Sequence, residues 1–410
     1  MRATTIRALD YWLGLPGCAL LTLVRRVLPE RTAPPRKILF LKFIEQGATV
    51  LAQDAIARAT RAVGRDNIFF CVFESNRAIL DVLDSVPAAN IISLRDRSLT
   101  TFTADFLGAL GAARRNRIDT VIDMEFFSRA SAIFAFLSGA STRVGLHRFT
   151  GELPYRGDLM THRIQYLPHL HIAQQYSILI EASLHDPHDE PLLKVPLTDI
   201  GANAPAAAPA FVASPSALQE MRQRIAADGA SPIVVLNPNA SDLLPLRKWQ
   251  TVKFAELARR ILDAYPQAKI VLTGGPSERD AAEQLCADIG SPRVVSMAGH
   301  TSLPDLLTLY NVADVLVTND SGPGHFSSLT PVHAVVLFGP ETPRLFGPLS
   351  ASSTVIWKEL ACSPCVSVFN HRLSPCRNNV CMQAISVDEV FDAVRAALVR
   401  RRETIRSDRP

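Results

Sequence analysis

Two doubly wound, Rossmann-like α/β domains joined by a proline-rich linker are what the sequence predicts, and three observations predict it. The chain has 410 residues, too long for one ordinary domain and suited to two of roughly 150–180 residues each. From residue 37 onward, short apolar runs alternate with helix-period stretches, and the alternation stops near residue 202 and restarts at 233. Between the two halves the chain reads Ala-Asn-Ala-Pro-Ala-Ala-Ala-Pro-Ala-Phe-Val-Ala-Ser-Pro, rich in proline and without periodicity. The expected division is a basic segment over 1–36, a first domain over 37–200, and a linker with a connecting helix over 201–231. A second domain follows over 232–385, then a helix and tail over 386–410.

In the first half, strands are expected at 37–42, 67–73, 91–94, 120–123 and 143–146, with helices at 50–63, 76–83, 104–115 and 128–137. The second half predicts strands at 233–236, 269–273, 294–296, 315–318 and 334–338. Its helices are expected at 251–264, 278–288, 303–311 and from 325, with a closing helix at 387–400. Strand–helix alternation implies parallel sheets with right-handed crossovers. Two such halves place a ligand cleft between the carboxyl ends of their sheets.

Composition narrows the function. Hydrophobic residues make up 48% and charged residues 20%, a mixture that builds sizeable cores. The net charge of +4 is uneven: residues 1–37 carry +5 and the remainder −1. No basic face for nucleic acid is expected on the body. Seven cysteines in a chain of this length do not make a secreted disulfide scaffold, so a reducing, cytoplasmic setting is the expectation.

The basic segment contains fourteen uncharged residues between Asp10 and Arg25, broken by Pro16-Gly17. A bilayer-spanning helix needs about 20 apolar residues. The preferred reading is an interfacial anchor over 1–33, with Trp12, Leu13, Leu15, Leu20, Leu21 and Leu23 in the headgroup boundary and basic residues against anionic lipid. A helix docked on the protein's own body and a cleaved signal peptide are the rivals, although Arg25-Arg26 stands where a cleavage site would be.

Three strand–loop–helix entries carry chemistry. In Val315-Leu-Val-Thr-Asn-Asp320-Ser321-Gly322-Pro323-Gly324-His325 a strand runs into a polar, glycine-rich turn and then a helix. Backbone N–H groups in such a turn suit a diphosphate, and Ser321 and His325 add side-chain donors. The competing reading is a tight turn in which Asp320 only caps the helix. Asn237-Pro-Asn239-Ala-Ser241, followed by Arg247-Lys248-Trp249, offers small residues and two cations for a diphosphate leaving group; a solvated charged loop is the alternative. In Thr273-Gly274-Gly-Pro-Ser-Glu278 the glycines allow close approach and the carboxylate suits ribose hydroxyls, unless Glu278 is an ordinary first-turn acid.

Cys362-x-x-Cys365 with Cys376 and Cys381 could supply four zinc ligands, with His371 as a substitute. The second spacing is loose for a zinc ribbon, so reduced or reversibly paired thiols are expected and no metal is assigned. His162, His169, His171, His185 and His188 scatter over a presumed loop and are read as surface or core residues. Arg143, Gly145, His147 and Arg148 follow a strand and could touch an anionic acceptor.

Asp320-Ser-Gly-Pro-Gly-His325 and Pro331-Val-His-Ala-Val-Val-Leu-Phe-Gly-Pro340, together with the Asn237–Ser241 and Arg247–Trp249 segments, resemble glycosyltransferase family 9, the heptosyltransferases of lipopolysaccharide core synthesis. The resemblance covers roughly residues 37–398 and is most specific over 233–348. It implies the two-domain GT-B fold, with domains facing across a cleft. It also implies that Asp320, Ser321, Gly322 and His325 hold diphosphate and donor sugar, Arg247 or Lys248 the phosphates, and Glu278 the ribose. The family's threonine is Ser321 here, its Pro-Gly-Ala-Ser loop is Pro238-Asn239-Ala-Ser241, and its Lys-Arg-Trp is Arg247-Lys248-Trp249.

The first turn departs from the family. Where members carry an Asp directly after the turn's glycine as catalytic base, this chain reads Glu45-Gln46-Gly47-Ala48. Glu45, in the same turn, is the preferred base and Glu125 the second candidate, since an inverting transfer needs a carboxylate within hydrogen-bond reach of the acceptor hydroxyl. Asp123 is read as structural. The resulting expectation is an inverting glycosyltransferase moving a sugar, heptose from ADP-heptose by resemblance, to a lipopolysaccharide-core or other lipid-linked acceptor. It would work at the inner face of the bacterial inner membrane, with no cofactor beyond the nucleotide-sugar donor. Gln46 and Gly47 would meet the acceptor. The alternative is a non-catalytic nucleotide-sugar or glycan-binding protein that has lost its base at Ala48. An epimerase would need a dinucleotide fingerprint and a Tyr-x-x-x-Lys pair, which the sequence lacks.

Overall fold

The computed structural model describes residues 3–28, 32–147, 155–189, 191–200, 210–227, 231–240, 244–370 and 372–407. Ser241, Arg148 and His371, among the residues singled out above, lie outside the described residues, as does most of the linker. The chain divides into two compact units, Met1–Ala207 and Ala208–Pro410.

The first unit begins with helices α1 (Ala3–Trp12) and α2 (Gly14–Val27). Its strands are β1 (Ile38–Leu41), β2 (Ile68–Phe73), β3 (Ile91–Leu94), β4 (Thr120–Asp123), β5 (Thr142–His147) and β6 (His162–Gln165). The intervening helices are α3 (Gln46–Leu51), α4 (Gln53–Val63), α5 (Ala78–Leu83), α6 (Leu99–Arg115), α7 (Arg129–Leu137) and α8 (Ile172–Ala182). All neighbouring strands run parallel, in the order β3-β2-β1-β4-β5-β6.

The second unit opens with α9 (Pro215–Arg224), whose first turn is capped by the Ser214 hydroxyl. Its strands are β7 (Ile233–Asn237), β8 (Lys269–Leu272), β9 (Val294–Ser296), β10 (Val315–Asn319), β11 (His333–Phe338) and β12 (Ser353–Trp357). Its later helices are α10 (Thr251–Ala264), α11 (Arg279–Ile289), α12 (Leu303–Val312), α13 (Gly322–Phe326), α14 (Pro343–Phe346), α15 (Val380–Gln383) and α16 (Val387–Ser407). The sheet is again parallel, in the order β12-β11-β10-β7-β8-β9. Both units therefore share one winding. The chain builds three strands to one side and then crosses to the other, so the order reverses between β1 and β4 and between β7 and β10. Ligands of doubly wound sheets bind beyond the strand ends at such a reversal.

The apolar runs form strands because both sheet faces are covered. Every residue of β1, β2, β4, β7 and β10 is buried. In the first unit Leu39, Leu41, Phe69, Cys71 and Val121 pack with Phe134 and Ala135 of α7. In the second, Val234, Leu236, Val315 and Val317 pack with Phe254, Leu257 and Ile261 of α10 and with Val390 and Val394 of α16.

Several elements differ from expectation. α6 starts at Leu99 because Ser98 and Thr101 form a reciprocal capping box there. The 50–63 helix is two pieces that begin at Gln46. β6, α8 and β12 are additional: β6 and β12 are edge strands with partly exposed, polar positions. The run expected to be loop around His171 includes α8, whose inward face is held by Ser177 donating to Asp54 at 2.6 Å.

The N-terminal helices dock on the first unit, the rival of the anchor reading. Gly14, Cys18, Thr22 and Arg25 form the inward face of α2, and Cys18 belongs to the core cluster. Asp10 Oδ1 accepts from the backbone N–H of Arg129 at 2.9 Å and of Ala130 at 3.1 Å, capping α7, while Oδ2 pairs with the buried Arg129 guanidinium at 3.1 Å. Arg25 pairs with Asp158 at 2.6 Å. The outward face is apolar: Trp12, Leu13, Leu20, Leu23, Val27 and Leu28 are each more than half exposed. No described helix is long and apolar enough to cross a membrane.

Gly157 sits under this dock at φ +73°, and a Cβ there would meet Cys18 O and Thr22 Oγ1, both at 2.8 Å. Gly157→Ala is therefore expected to lower the stability of the first unit by about 2 kcal/mol in urea unfolding, through backbone strain and overpacking together.

Candidate active site

At the reversal in the first sheet, the turn after β1 meets the turn after β4. Lys42 directly follows β1 and is fully buried. Its ammonium donates to Glu45 Oε2 and to Glu125 Oε2, each at 3.1 Å. Glu125 Oε1 also accepts from the backbone N–H of Phe43 at 2.6 Å and of Ile44 at 3.3 Å. Its carboxylate thus holds the β1 turn in place, and its side chain is only 7% exposed. Asp123 supports it in turn: Oδ1 accepts from Glu125 N at 3.0 Å, and Oδ2 accepts from Ser131 Oγ at 2.8 Å and pairs with buried Arg156. Asp123 is structural, as read from the sequence.

Glu45 is the more accessible acid, with 23% of its side chain exposed. Its backbone has φ +73°, a left-handed conformation that a non-glycine residue adopts at a cost of about 1–3 kcal/mol. It precedes α3 and its carbonyl accepts from Ala48 N at 2.9 Å. Gln46 Nε2 donates to Ser75 O at 2.9 Å, and Gly47 is buried in the first turn of α3. The two candidate bases therefore meet on one lysine and differ in situation: Glu125 is a buried brace and Glu45 is the partly open carboxylate beside it.

The other acceptor candidates separate. His147 ends β5, and burial, helped by Arg163, pulls its pKa down to about 4. It is a neutral imidazole at pH 7 and offers a hydrogen bond in place of the cation expected for an anionic acceptor. Arg143 lies at the amino end of β5, remote along the strand from the ligand end. Its guanidinium donates to Leu159 O and Ala140 O, both at 2.8 Å, which gives it a role in fastening the fold.

In the second unit the reversal lies between β7 and β10, and the loops there are tied by Asn319. Its Oδ1 accepts from Trp249 N at 3.0 Å, and its Nδ2 donates to Pro238 O and Asn239 O, both at 3.1 Å. Trp249 is buried and donates from its indole to Ile385 O at 3.0 Å, which fixes the Arg247-Lys248 segment over the sheet end. Arg247 Nε lies 3.2 Å from Asp320 Oδ2, and its other end pairs with Glu341, from the turn after β11. Burial works against the arginine's charge, but Asp320 and Glu341 together hold its pKa above the ordinary value. Burial pushes both acids up, Glu341 to about 7. Lys248 is exposed beside them.

Ser321 shares a hydroxyl contact with Thr318 at 3.2 Å, and Gly322, Pro323, Gly324 and His325 form the short α13 that follows. Beyond Pro323 the N–H of Gly324 donates to Ser321 O at 3.1 Å, so of these first groups the N–H of Gly322 has no earlier turn to bond to. On the other side of Asn319, Gly274 is pressed by both Asn239 and Glu278: a Cβ there would stand 2.7 Å from Asn239 Nδ2 and 2.9 Å from Glu278 Oε2. Glu278 Oε2 accepts from Gly275 N at 2.7 Å, so it also serves as the first-turn acid of its helix entry.

The structure thus gathers Asn239, Gly274 and Glu278 on one side of Asn319, and Arg247, Asp320 and Ser321 on the other. Lys42, Asn319 and Glu341 are not singled out by the sequence. A lysine closing an apolar strand and an asparagine ending another are signals, since a buried strand ends in polar residues for a reason. Glu341 sits in a Gly-Pro-Glu-Thr-Pro turn and carries no such mark. The cysteines form no disulfide, and among the described residues no three His, Cys, Asp or Glu side chains converge as a metal-holding group. Ser374 Oγ donates to Cys365 Sγ at 3.2 Å, and Cys376 donates to Asn378 O at 3.2 Å.

Because Glu125 neutralises a buried lysine and holds two backbone donors, Glu125→Ala is expected to cost about 3 kcal/mol of stability in the first unit. Glu45→Ala should cost less than about 1 kcal/mol, since it removes a pair but also relaxes nothing buried. Denaturant unfolding of the two variants separates brace from accessible acid; equal losses would refute the distinction.

Known proteins resemble the chain in sequence and in fold. The model of glycosyltransferase family 9 (heptosyltransferase) matches residues 109–372, a stretch that holds the whole cluster around Asn319 but not the Glu45 turn. Lipooligosaccharide heptosyltransferase 2 of Campylobacter jejuni is 24% identical over 269 residues, 64% of this chain and 74% of that protein. Lipopolysaccharide heptosyltransferase 2 of Salmonella typhimurium is 30% identical over 128 residues, which span 30% of this chain and about a third, 36%, of that relative. Among solved structures, Escherichia coli ADP-heptose lipopolysaccharide heptosyltransferase II superposes with a TM-score of 0.68 at 19% identity, covering 89% of this chain and 99% of that one. At that identity the likeness speaks for the fold, which is the GT-B fold with its two Rossmann-like domains. With the family model matching well over half of its length, the chain belongs to glycosyltransferase family 9.

Proposed function

We propose that this glycosyltransferase moves a sugar, with inversion, from a nucleotide-sugar to a lipopolysaccharide-core or other lipid-linked acceptor, and that the sugar is heptose carried on ADP. The relatives named for heptosyl transfer support the donor class. The observation that carries the reading is the arrangement around Asn319, which brings cations, hydroxyls and the Gly322 amide to the end of one sheet. In this reading Arg247 and Lys248 face the diphosphate, with the N–H of Gly322 and the Ser321 hydroxyl beside them. His325 and Asp320 meet the sugar, and Asn239, Gly274 and Glu278 meet the nucleoside. Ser241 belongs to the same loop as Asn239.

Glu45 serves as the base. Its carboxylate takes the proton of the acceptor hydroxyl while that oxygen forms a bond to the anomeric carbon. The bond from that carbon to the diphosphate breaks on the opposite face, and the diphosphate leaves with the electron pair toward the cations. Lys42 fixes the direction of the carboxylate and Glu125 fixes Lys42. In this reading Gln46, Gly47 and His147 meet the acceptor, with Arg148 following in the chain. No cofactor is needed for these steps.

The outward face of α2 serves as a contact with the cytoplasmic leaflet of the inner membrane, where such an acceptor resides. Small and polar residues with Leu21 dock the helix, Leu20, Leu23 and Val27 point away from the body, and Arg26 is exposed beside them. Deleting 1–33 would remove Cys18 from the core, so substitutions on the outward face are the better test.

Glu45→Gln is expected to lower kcat by at least about 100-fold with donor KM within threefold, in a transfer assay with ADP-heptose; transfer at the wild-type rate would move the base elsewhere. The double change Leu20→Glu, Leu23→Glu should leave the fold intact, because both positions are more than half exposed. It should lose co-sedimentation with phosphatidylglycerol-containing vesicles, and unchanged binding would end the leaflet reading.

A further inference from the structure

The donor-side cluster holds one more carboxylate than its cation can balance. Arg247 stands between Asp320 and Glu341, with side-chain exposures of 13%, 4% and 1%. Glu341 is not one of the residues assigned to the donor, and it reaches the cluster from the turn after β11. Its Oε2 pairs with Arg247, while its Oε1 is buried with no hydrogen-bond partner among the described residues. Asp320 Oδ2 is likewise buried without a hydrogen bond, although it lies 3.2 Å from Arg247 Nε. The charged groups facing Glu341 are Arg247, from the segment before α10, and Asp320, from the turn after β10. On its own turn, the neighbouring Gly339 and Pro340 are packed by uncharged groups, among them Met382 and the backbone of Cys365 and Val366.

Two carboxylates on one guanidinium leave a net negative charge at the place where the proposed reading puts a diphosphate. A second anion cannot enter such a site unless charge is neutralised, and a buried carboxyl meets that demand by binding a proton. We propose that Glu341 is a positioning residue of the donor site, holding Arg247 beside Asp320 and taking up one proton when the diphosphate of the donor binds. The inference rests on the reading that this loop receives the diphosphate.

The geometry favours Glu341 over Asp320 as the proton's seat. Asp320 is bracketed by Arg247 twice, since the guanidinium also donates to the Asp320 carbonyl at 3.3 Å. Glu341 touches Arg247 with one oxygen only and keeps the other in an uncharged surround, where an O–H is the cheaper form. Burial and the nearby Asp320 place its pKa at about 7, so the free protein holds it largely ionised at pH 8. A diphosphate brought against the same arginine draws part of its positive charge away from Glu341 and favours the neutral acid. The neutral acid still accepts from Arg247 through its carbonyl oxygen, so the cation keeps its position while the repulsion falls.

The test is isothermal titration calorimetry of the full chain at pH 8, in two buffers of widely different protonation enthalpy. ADP-glucose, GDP-mannose and UDP-glucose serve as probes, because their diphosphate diesters carry no proton near neutrality. The expected result is uptake of close to one proton per probe bound, with affinity falling toward tenfold per pH unit between pH 8 and 9. Glu341→Gln, which imitates the neutral acid, should bind within threefold of wild type at pH 6, take up less than 0.2 of a proton (an order-of-magnitude bound, about a fifth) at pH 8, and show a flat pH profile. A purely structural Glu341 would leave the proton count untouched. Binding by wild type with no proton uptake, or full uptake retained in Glu341→Gln, overturns the proposal. If the variant does not fold, the wild-type proton count alone decides. Failure of every probe to bind would instead overturn the donor-site reading.

Discussion

One cation buried between two carboxylates closes each sheet at the point where its strand order reverses. Lys42 lies between Glu45 and Glu125 in the first unit, and Arg247 between Asp320 and Glu341 in the second. Desolvating a charge is tolerable only when partners are supplied at hydrogen-bond distance. Each cluster therefore fixes the loops that carry it as firmly as apolar packing fixes the strands beneath. In the first unit the extra carboxylate is partly open, which suits a group that meets a hydroxyl. In the second the surplus is sealed in, which suits a group that responds to an arriving anion.

Much of this was legible in the residues. Strands buried on both faces must be continuous apolar runs, so 38–41, 68–73, 233–237 and 315–319 stand out against their polar flanks. The edge strands at 162–165 and 353–357 do not, because each exposes positions that then tolerate His, Gln, Ser and Thr. Helix starts were hidden where a hydroxyl pair caps them, as at Ser98 and Thr101. On the donor side, glycine and hydroxyl residues crowd into short segments, and those segments do converge. Glu341 could not be read in the same way: its meaning comes from Arg247, 94 positions earlier, and nothing in its own turn calls for an acid. The same holds for Glu125, whose work is done on backbone amides 81 and 82 positions away.

The N-terminal helix pair docks in a way its sequence did not announce. A helix that docks normally turns its large apolar residues inward. In α2 the inward face is Gly14, Cys18, Thr22 and Arg25, with the partly buried Leu21 packed against the core, while Leu20 and Leu23 face out. Close approach and ion pairing hold the helix, with Arg129 lying directly over Gly14. The apolar outward face is then left over from packing.

Asn319 gives the loops of the second unit a further property. A single carboxamide joins the segment after β7, the approach to α10 and the end of β10. Segments pinned to one small group cannot drift independently as sequences diverge. Chimeras that exchange one of these loops for that of a distant homologue, to redirect nucleotide choice, will inherit a backbone registered to a foreign anchor. Swapping all three segments as one block, with the asparagine included, is the unit in which such recombination can succeed.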